Sequence, residues 1–156
     1  MYHGALGIQF QTDFTLGPGR NMSKKSRRQI PVFKTPIIET HCHLDYLKGE
    51  DLETTLAKSR QVGIERVITI AVSPDNLAPV RTLAQTLPNV WGTQGIHPHE
   101  AASYNDAVAR EIKTGLGEER IIAVGEIGLD YYYDHADRNI QRDVFEQQLQ
   151  IASEYD

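Results

Sequence analysis

The chain enters its first predicted strand at Ile37-Ile38-Glu39-Thr40-His41-Cys42-His43-Leu44-Asp45, where an apolar pair runs into two histidines separated by one residue. On a β-strand, residues i and i+2 point to the same side, roughly 6.5–7 Å apart along the chain. Two imidazoles placed that way can bind one divalent metal ion through bonds of about 2.0–2.1 Å. The stretch therefore predicts a strand that ends at a metal site formed by His41 and His43. The alternative is a pair of ordinary strand residues, one buried and one at a turn.

The chain continues as an alternation of strand and helix patterns. This order predicts right-handed crossovers and a parallel sheet with helices outside. Four such units suit either a small open sheet or half of an eight-stranded (β/α) barrel, which typically needs about 250 residues. The predicted strands are 36–41, 66–71, 89–96 and 121–124, and the predicted helices are 51–61, 73–87, 101–114 and 138–155.

The composition is that of an ordinary soluble domain, with 156 residues, 40% apolar residues and a net charge of -5. This charge provides no global attraction for nucleic acid, so phosphate binding would need a local positive source such as a bound metal. The single cysteine, Cys42, excludes an internal disulfide and fits a reducing compartment, so we predict a cytoplasmic location. No apolar run approaches the roughly 18 residues that span a bilayer.

The first 35 residues differ from the remainder because they contain several glycines and prolines and no sustained period. We predict that residues 1–35 are a flexible N-terminal extension and that 36–156 form the domain. The basic cluster Lys24-Lys25-Ser26-Arg27-Arg28 reads as part of a solvated tail, or alternatively as an arm that contacts phosphates or a membrane. No signal peptide is predicted, and Met22 is an alternative start.

Ionisable residues follow the predicted strands at their carboxyl ends, which meet at one rim in both architectures. Glu126 follows an apolar strand, where a carboxylate is costly to bury unless it is paired, protonated or metal-bound. We predict that it is a metal ligand; a lysine or arginine partner is the alternative. His97 and His99 bracket a proline and are predicted to contact substrate or phosphate, unless they belong to a rigid surface loop.

Asp130, the three consecutive tyrosines and Cys42 each allow two interpretations. Asp130 either orients a ligand or caps its loop. The tyrosines of Tyr131-Tyr132-Tyr133 either stack on a base or pack against the protein. Cys42 faces away from the two histidines by strand alternation and is predicted to be an apolar contact rather than a ligand.

Taken together, three motifs resemble the TatD family of metal-dependent hydrolases, within the amidohydrolase-like superfamily. They are His41-Cys42-His43-Leu44-Asp45, Gly95-Ile96-His97-Pro98-His99 and Val124-Gly125-Glu126-Ile127-Gly128-Leu129-Asp130-Tyr131. The resemblance covers Ile37 to Asp156 and corresponds to the N-terminal half of the family. It implies the first four units of a TIM-type (β/α)8 barrel, here preceded by the extension.

The resemblance also implies a function. The family contains deoxyribonucleases that hydrolyse DNA phosphodiesters, often as 3′-exonucleases on single strands, with two divalent metal ions (Mg, Mn or Zn). By this resemblance His41 and His43 ligate one metal and Glu126 bridges both, while His97 and His99 lie near the scissile phosphate. Two metals clamp the phosphate and lower the pKa of a water molecule in such sites.

Two departures from the family pattern lead to further expectations. Glu39 stands where the family usually has aspartate, and the family's later ligands, two histidines and an aspartate, have no counterpart in these residues. We therefore expect the segment to be inactive alone and its open sheet edges to favour self-association. The alternatives are a non-catalytic half-barrel that binds metal or a partner, and a related amidohydrolase-type enzyme such as an aminoacyl-tRNA deacylase.

Overall fold

The protein is described by a computed structural model for residues 30–47 and 49–155. Most of the predicted extension and its basic cluster lie outside these residues. Two short 3₁₀ turns span Leu44–Tyr46 and Pro98–Ser103. The strands are β1 (Ile37–Cys42), β2 (Ile64–Thr69), β3 (Val90–Gln94) and β4 (Ile121–Val124), and the helices are α1 (Glu50–Gln61), α2 (Pro74–Thr86), α3 (Asp106–Leu116) and α4 (Arg138–Glu154).

The four strands form one parallel sheet in the order β1-β2-β3-β4. Each strand therefore lies beside its predecessor in the sequence. A doubly wound sheet would reverse its strand order at a switch point, whereas sequential order is that of a (β/α)8 barrel. The prediction of four β/α units arranged as half of such a barrel is confirmed, and the carboxyl ends of all four strands share one rim.

The helices cover one face of the sheet and enclose the core. Gly92 in β3 faces α2 so closely that a Cβ atom there would lie 2.9 Å from Cγ1 of Val80. Leu77 and Ile112 are fully buried in the same layer, and each such side chain contributes about 1.5–3 kcal/mol by leaving water. Within the described residues, no helix has both the length and the apolar character needed to cross a bilayer.

The third helix begins later than its sequence pattern predicted. Residues 98–103 form a 3₁₀ turn instead of entering a helix, and α3 starts only at Asp106. The reason is Asn105, whose side-chain oxygen accepts hydrogen bonds from the main-chain N–H groups of Ala107 (2.9 Å) and Val108 (3.2 Å). This side-chain cap satisfies donors that the helix leaves unpaired. The extra turn fixes the segment that carries His99.

The opposite face and both edges of the sheet are less covered. Trp91 points away from α2, since neighbouring residues of a strand alternate, and the guanidinium groups of Arg66 and Arg120 each lie 5.6 Å from its ring centre. On the two edge strands, Ile38 and Ile122 are about half exposed. In the described residues, the helices therefore cover one face of the sheet and leave the other face more exposed.

Candidate metal centre

His43 lies immediately after β1 and is held by the neighbouring strand. Its Nδ1 is 3.1 Å from the main-chain oxygen of Ile70. A carbonyl oxygen only accepts, so Nδ1 carries the hydrogen and Nε2 carries a lone pair. A hydrogen bond of this kind commonly orients a metal-binding imidazole. The ring also stacks on Tyr46, with a centroid distance of 5.2 Å, and these contacts fix the direction of Nε2.

His41 approaches Glu126 across the rim. Its Nε2 lies 3.4 Å from Oε2 of Glu126, and the ring centres of His41 and His43 are 5.5 Å apart. The carboxylate of Glu39 accepts a hydrogen bond from the main-chain N–H of His41 at 3.0 Å. Glu39 therefore supports the backbone at the first histidine.

The position of Glu126 depends on main-chain contacts made by β4 as it ends. Its N–H donates to the Ala71 oxygen at 2.8 Å, and the N–H of Gly125 donates to the Gln94 oxygen at 2.9 Å. A Cβ atom on Gly95 would lie 2.6 Å from the carbonyl carbon of Gly125. Glycine at position 95 is therefore what lets the ends of β3 and β4 approach closely here.

A buried threonine links three strand ends beneath the site. Oγ1 of Thr93 accepts from the N–H of Ala71 at 3.3 Å and donates to the oxygen of Gly125 at 2.6 Å. Thr69 acts similarly, since its Oγ1 accepts from the N–H of Leu44 at 3.1 Å. Sequence reasoning missed both residues. The signal that could have found them is a threonine near the carboxyl end of each strand.

His41, His43 and Glu126 fit a divalent metal by their donor chemistry. One ligand atom of each lies within 4.8 Å of the other two. Two imidazole nitrogens and one carboxylate oxygen are a set that zinc and related transition metals accept. In the described part of the chain, the ion-pair partners of Glu126 are histidines, not the lysine or arginine of the alternative reading. The donor set leaves coordination positions for further ligands.

His97 adjoins this cluster from β3. Its Nδ1 accepts from the N–H of His99 at 3.1 Å, so Nε2 carries the hydrogen in the neutral ring. That atom faces Oε1 of Glu126 at 3.5 Å. Burial lowers the pKa of His97 below its ordinary value, although Glu126 acts in the opposite direction. A neutral His97 is thus favoured as a hydrogen-bond donor at the rim.

His99 points to a different carboxylate, that of Asp130. The distance from its Nε2 to Oδ2 is 2.6 Å, while Oδ1 accepts from the N–H groups of Tyr132 (2.9 Å) and Tyr133 (3.1 Å). The bond from His99, followed by these two main-chain bonds, lowers the pKa of Asp130 to about 2. Asp130 therefore caps its own loop, as one of the two interpretations predicted, and it also orients His99; a role in orienting a metal ligand stays a prediction.

Helix α4 anchors both of these loops through two buried glutamines. Gln148 accepts from the N–H of Ile96 at 2.7 Å and donates to its oxygen at 3.1 Å. Gln141, seven residues earlier on the same helix face, accepts from the N–H of Asp130 at 2.8 Å and donates to its oxygen at 3.0 Å. Each amide pairs with the backbone as a neighbouring strand would. The signal in the sequence was two polar residues in line with the apolar Val144.

Cys42 behaves as its strand position predicted. It packs against the core cluster that includes Leu44 and Val67, and its thiol lies 3.5 Å from the oxygen of Ile68. Burial, followed by the charges of nearby carboxylates, raises the pKa of this thiol to about 12. The thiolate form that binds metals is therefore disfavoured.

Comparisons with known proteins are consistent across sequence and structure. A family described as TatD related DNase matches residues 38–156. The metal-dependent hydrolase YjjV of Escherichia coli K12 is 31% identical over 123 residues, covering 76% of this chain and 47% of the relative. The 3'-5' ssDNA/RNA exonuclease TatD of Pectobacterium carotovorum is 32% identical over 106 residues, covering 67% of this chain and 41% of the relative.

Solved structures agree with this pattern. The crystal structure of YjjV, a TatD homolog from Escherichia coli K12, has a TM-score of 0.69 at 30% identity and covers 76% of this chain and 47% of that one. An amidohydrolase from Saccharomyces cerevisiae, at 16% identity and a TM-score of 0.58, shares the fold. The chain spans about half the length of the curated relatives it matches.

Proposed function

The chain belongs to the TatD-related DNase family of metal-dependent hydrolases, and from that premise we propose that residues 36–156 supply the first part of a two-metal phosphodiesterase centre. The observation that carries this proposal is the convergence of donor atoms from His41, His43 and Glu126 within 4.8 Å of one another. These residues come from the ends of two strands that are far apart in the sequence. We assign the two histidines to one metal ion and Glu126 to a position between two.

The substrate we propose is single-stranded nucleic acid, with DNA phosphodiesters as the bond cleaved. Relatives named 3'-5' ssDNA/RNA exonuclease TatD support this assignment. A chain with a net charge of -5 needs a local positive source to hold a phosphodiester. Bound divalent metal would supply that charge and polarise the phosphate. We propose that His97, whose Nε2–H lies at the same rim, donates a hydrogen bond to a phosphate oxygen, and that His99, whose Nε2 is already paired with Asp130, lines the substrate path beside it.

The three donor groups do not complete a two-metal site. A catalytic zinc alone commonly takes three protein ligands plus water, and a pair of metals needs more. We therefore propose that this 156-residue chain binds metal but does not turn over substrate without ligands from additional polypeptide. A chelator-sensitive nuclease activity of the purified chain, lost in His43→Ala, would contradict that part of the proposal.

Metal binding itself is tested by calorimetric titration of the chain with Mn²⁺ or Zn²⁺. Glu126→Gln keeps the size of the side chain and removes its charge, so we expect it to weaken binding at least tenfold. Glu65→Gln, at an exposed position of β2, is the matched control and should bind like the unaltered chain. Equal affinity in both variants would reject Glu126 as a ligand.

We also propose that the chain associates with itself through its uncovered sheet. Ile38 and Ile122 on the two edge strands are about half exposed, and unpaired edges recruit further strands. Light scattering after size-exclusion chromatography should therefore show dimers or larger species, reduced by Ile38→Lys. A strictly monomeric chain at high concentration would exclude this association.

A further inference from the structure

Three consecutive tyrosines beside the candidate metal centre project into solvent. Tyr132 is 86% exposed and Tyr133 is 63% exposed, with Tyr131 and Leu129 also exposed. Tyr132 therefore does not pack into the protein, whereas the ring of Tyr133 also stacks on His135 with a centroid distance of 6.0 Å. Burial of an aromatic ring against a partner lowers the free energy of the complex. A contiguous exposed apolar patch therefore commonly marks a binding surface.

These rings continue a row that begins at a candidate metal ligand. Nε2 of His97 lies 3.5 Å from Glu126, and the ring centres of His97 and His99 are 4.4 Å apart. The row continues from His99 to Tyr133 at 5.7 Å and from Tyr133 to Tyr132 at 4.8 Å. Each ring contacts the next, so the candidate centre and the most exposed tyrosine belong to one continuous surface.

Two arginines at the start of α4 lie beside the same loop. The guanidinium of Arg138 sits 4.9 Å from the ring centre of Tyr131 and donates to the main-chain oxygen of that residue at 3.3 Å. Arg138 and Arg142 both line a cavity of about 520 Å³ next to the loop. An arginine that lies against an aromatic ring provides both charge and a planar contact for a nucleotide.

Two carboxylates also line this cavity and offset part of the positive charge of the arginines. Asp137 caps α4 and accepts from the main-chain N–H of Asn139 at 2.8 Å, so it is held at the helix start. Asp134 meets Arg138 at 3.6 Å in an exposed pair. Exposed pairs of this kind contribute little, and a phosphate can replace the aspartate as the partner of Arg138.

We propose that this row is a base-stacking subsite for single-stranded nucleic acid, in which bases stack on Tyr132 and Tyr133 and a phosphate meets Arg138. The inference deepens the proposed function and rests on it, since the strand would lead into the centre at Glu126. Stacking is tolerant of base sequence because every base has a π-face. It also does not depend on net charge, which suits an acidic protein.

The test is binding of a fluorescent oligodeoxythymidine of about ten nucleotides to the full 156-residue chain, measured by anisotropy in excess chelator. We expect Tyr132→Leu and Tyr133→Leu each to weaken binding about tenfold, as loss of one stacked base predicts, while Tyr132→Phe and Tyr133→Phe bind like the unaltered chain. Tyr155→Leu is the matched control, because Tyr155 is also exposed but lies at the far end of α4, about 25 Å away.

An abasic strand of the same length separates stacking from charge. It should bind more weakly than oligodeoxythymidine and should not respond to the tyrosine substitutions. No binding by the unaltered chain, or equal losses for both strands, would overturn the inference. So would a change of oligomeric state in the leucine variants without a change in nucleotide binding, because the patch would then be a protein contact.

The chelator keeps this outcome distinct from that of the proposed function. If the oligonucleotide binds in a tyrosine-dependent way but calorimetry detects no metal binding, the subsite is supported and the metal centre is rejected. If calorimetry detects metal binding but the oligonucleotide does not bind in a tyrosine-dependent way, the metal centre is supported and the subsite is rejected.

Discussion

The side-chain amide of Gln148 pairs with the main-chain N–H and C=O of Ile96, as the backbone of a neighbouring strand would. The amide accepts from the N–H at 2.7 Å and donates to the carbonyl oxygen at 3.1 Å. Both residues are fully buried, so no water can take over these bonds. Because His97 follows Ile96 directly, a helix that lies outside the sheet fixes the start of a loop at the rim.

The first prediction concerns this anchor. Gln148→Leu preserves bulk but leaves the N–H and C=O of Ile96 buried without partners, at about 1–3 kcal/mol for each group. We expect the free energy of unfolding to fall by about 2–5 kcal/mol in urea denaturation. Gln147→Leu on the exposed side of α4 should change it by less than about 0.5 kcal/mol. Similar values for the two variants would show that the anchor is dispensable.

A second prediction follows from the close approach of β3 and β4. Gly95→Ala places a methyl group 2.6 Å from the carbonyl carbon of Gly125, and backbone must move to accommodate it. We expect a loss of about 1–3 kcal/mol in stability together with weaker metal binding, because Gly125 immediately precedes Glu126. Gly117→Ala meets only an ordinary contact at 3.4 Å and serves as the control. Unchanged metal affinity in Gly95→Ala would show that the close approach of β3 and β4 does not position Glu126 for metal binding.

The third prediction is a pH dependence that arises from Asp130. Its pKa in the folded protein is lowered from 3.8 to about 2, chiefly by the hydrogen bond from His99. A carboxyl with a depressed folded pKa stabilises the protein above its unfolded pKa and loses that contribution as the pH falls through the folded value. The stability difference between the unaltered chain and Asp130→Asn should therefore be full above pH 4 and shrink toward pH 2. A difference that is constant across this range would contradict the assignment.

Much of the fold was predictable because each element carries a strong local pattern. The apolar β-branched run at 66–71 and the apolar stripe of α2 correspond to β2 (Ile64–Thr69) and α2 (Pro74–Thr86) with small differences at their ends. The exception was α3, where the pattern of apolar residues extended across Asn105. Side-chain capping, rather than hydrophobic periodicity, set the start of that helix.

The part of the site that lies at strand ends was predictable, because the carboxyl ends of parallel strands meet at one rim. The apolar strands placed His41, His43 and Glu126 at one rim, and the structure brings them together. The pairing of His99 with Asp130 was beyond the sequence, because it depends on how a loop after β4 folds back. The same holds for Gln141, whose role appears only when α4 is packed against that loop.

Nitrogen NMR of the histidine rings during titration with Zn²⁺ tests the metal centre most directly. We expect the Nε2 signal of His43 to shift while Nδ1 remains protonated, because Nδ1 donates to the oxygen of Ile70, and we expect a ring nitrogen of His41 to shift at the same metal concentration. Glu126→Gln should move both changes to higher metal concentration. Rings that do not respond to the metal, or a His43 that binds it through Nδ1, would contradict the metal centre described here.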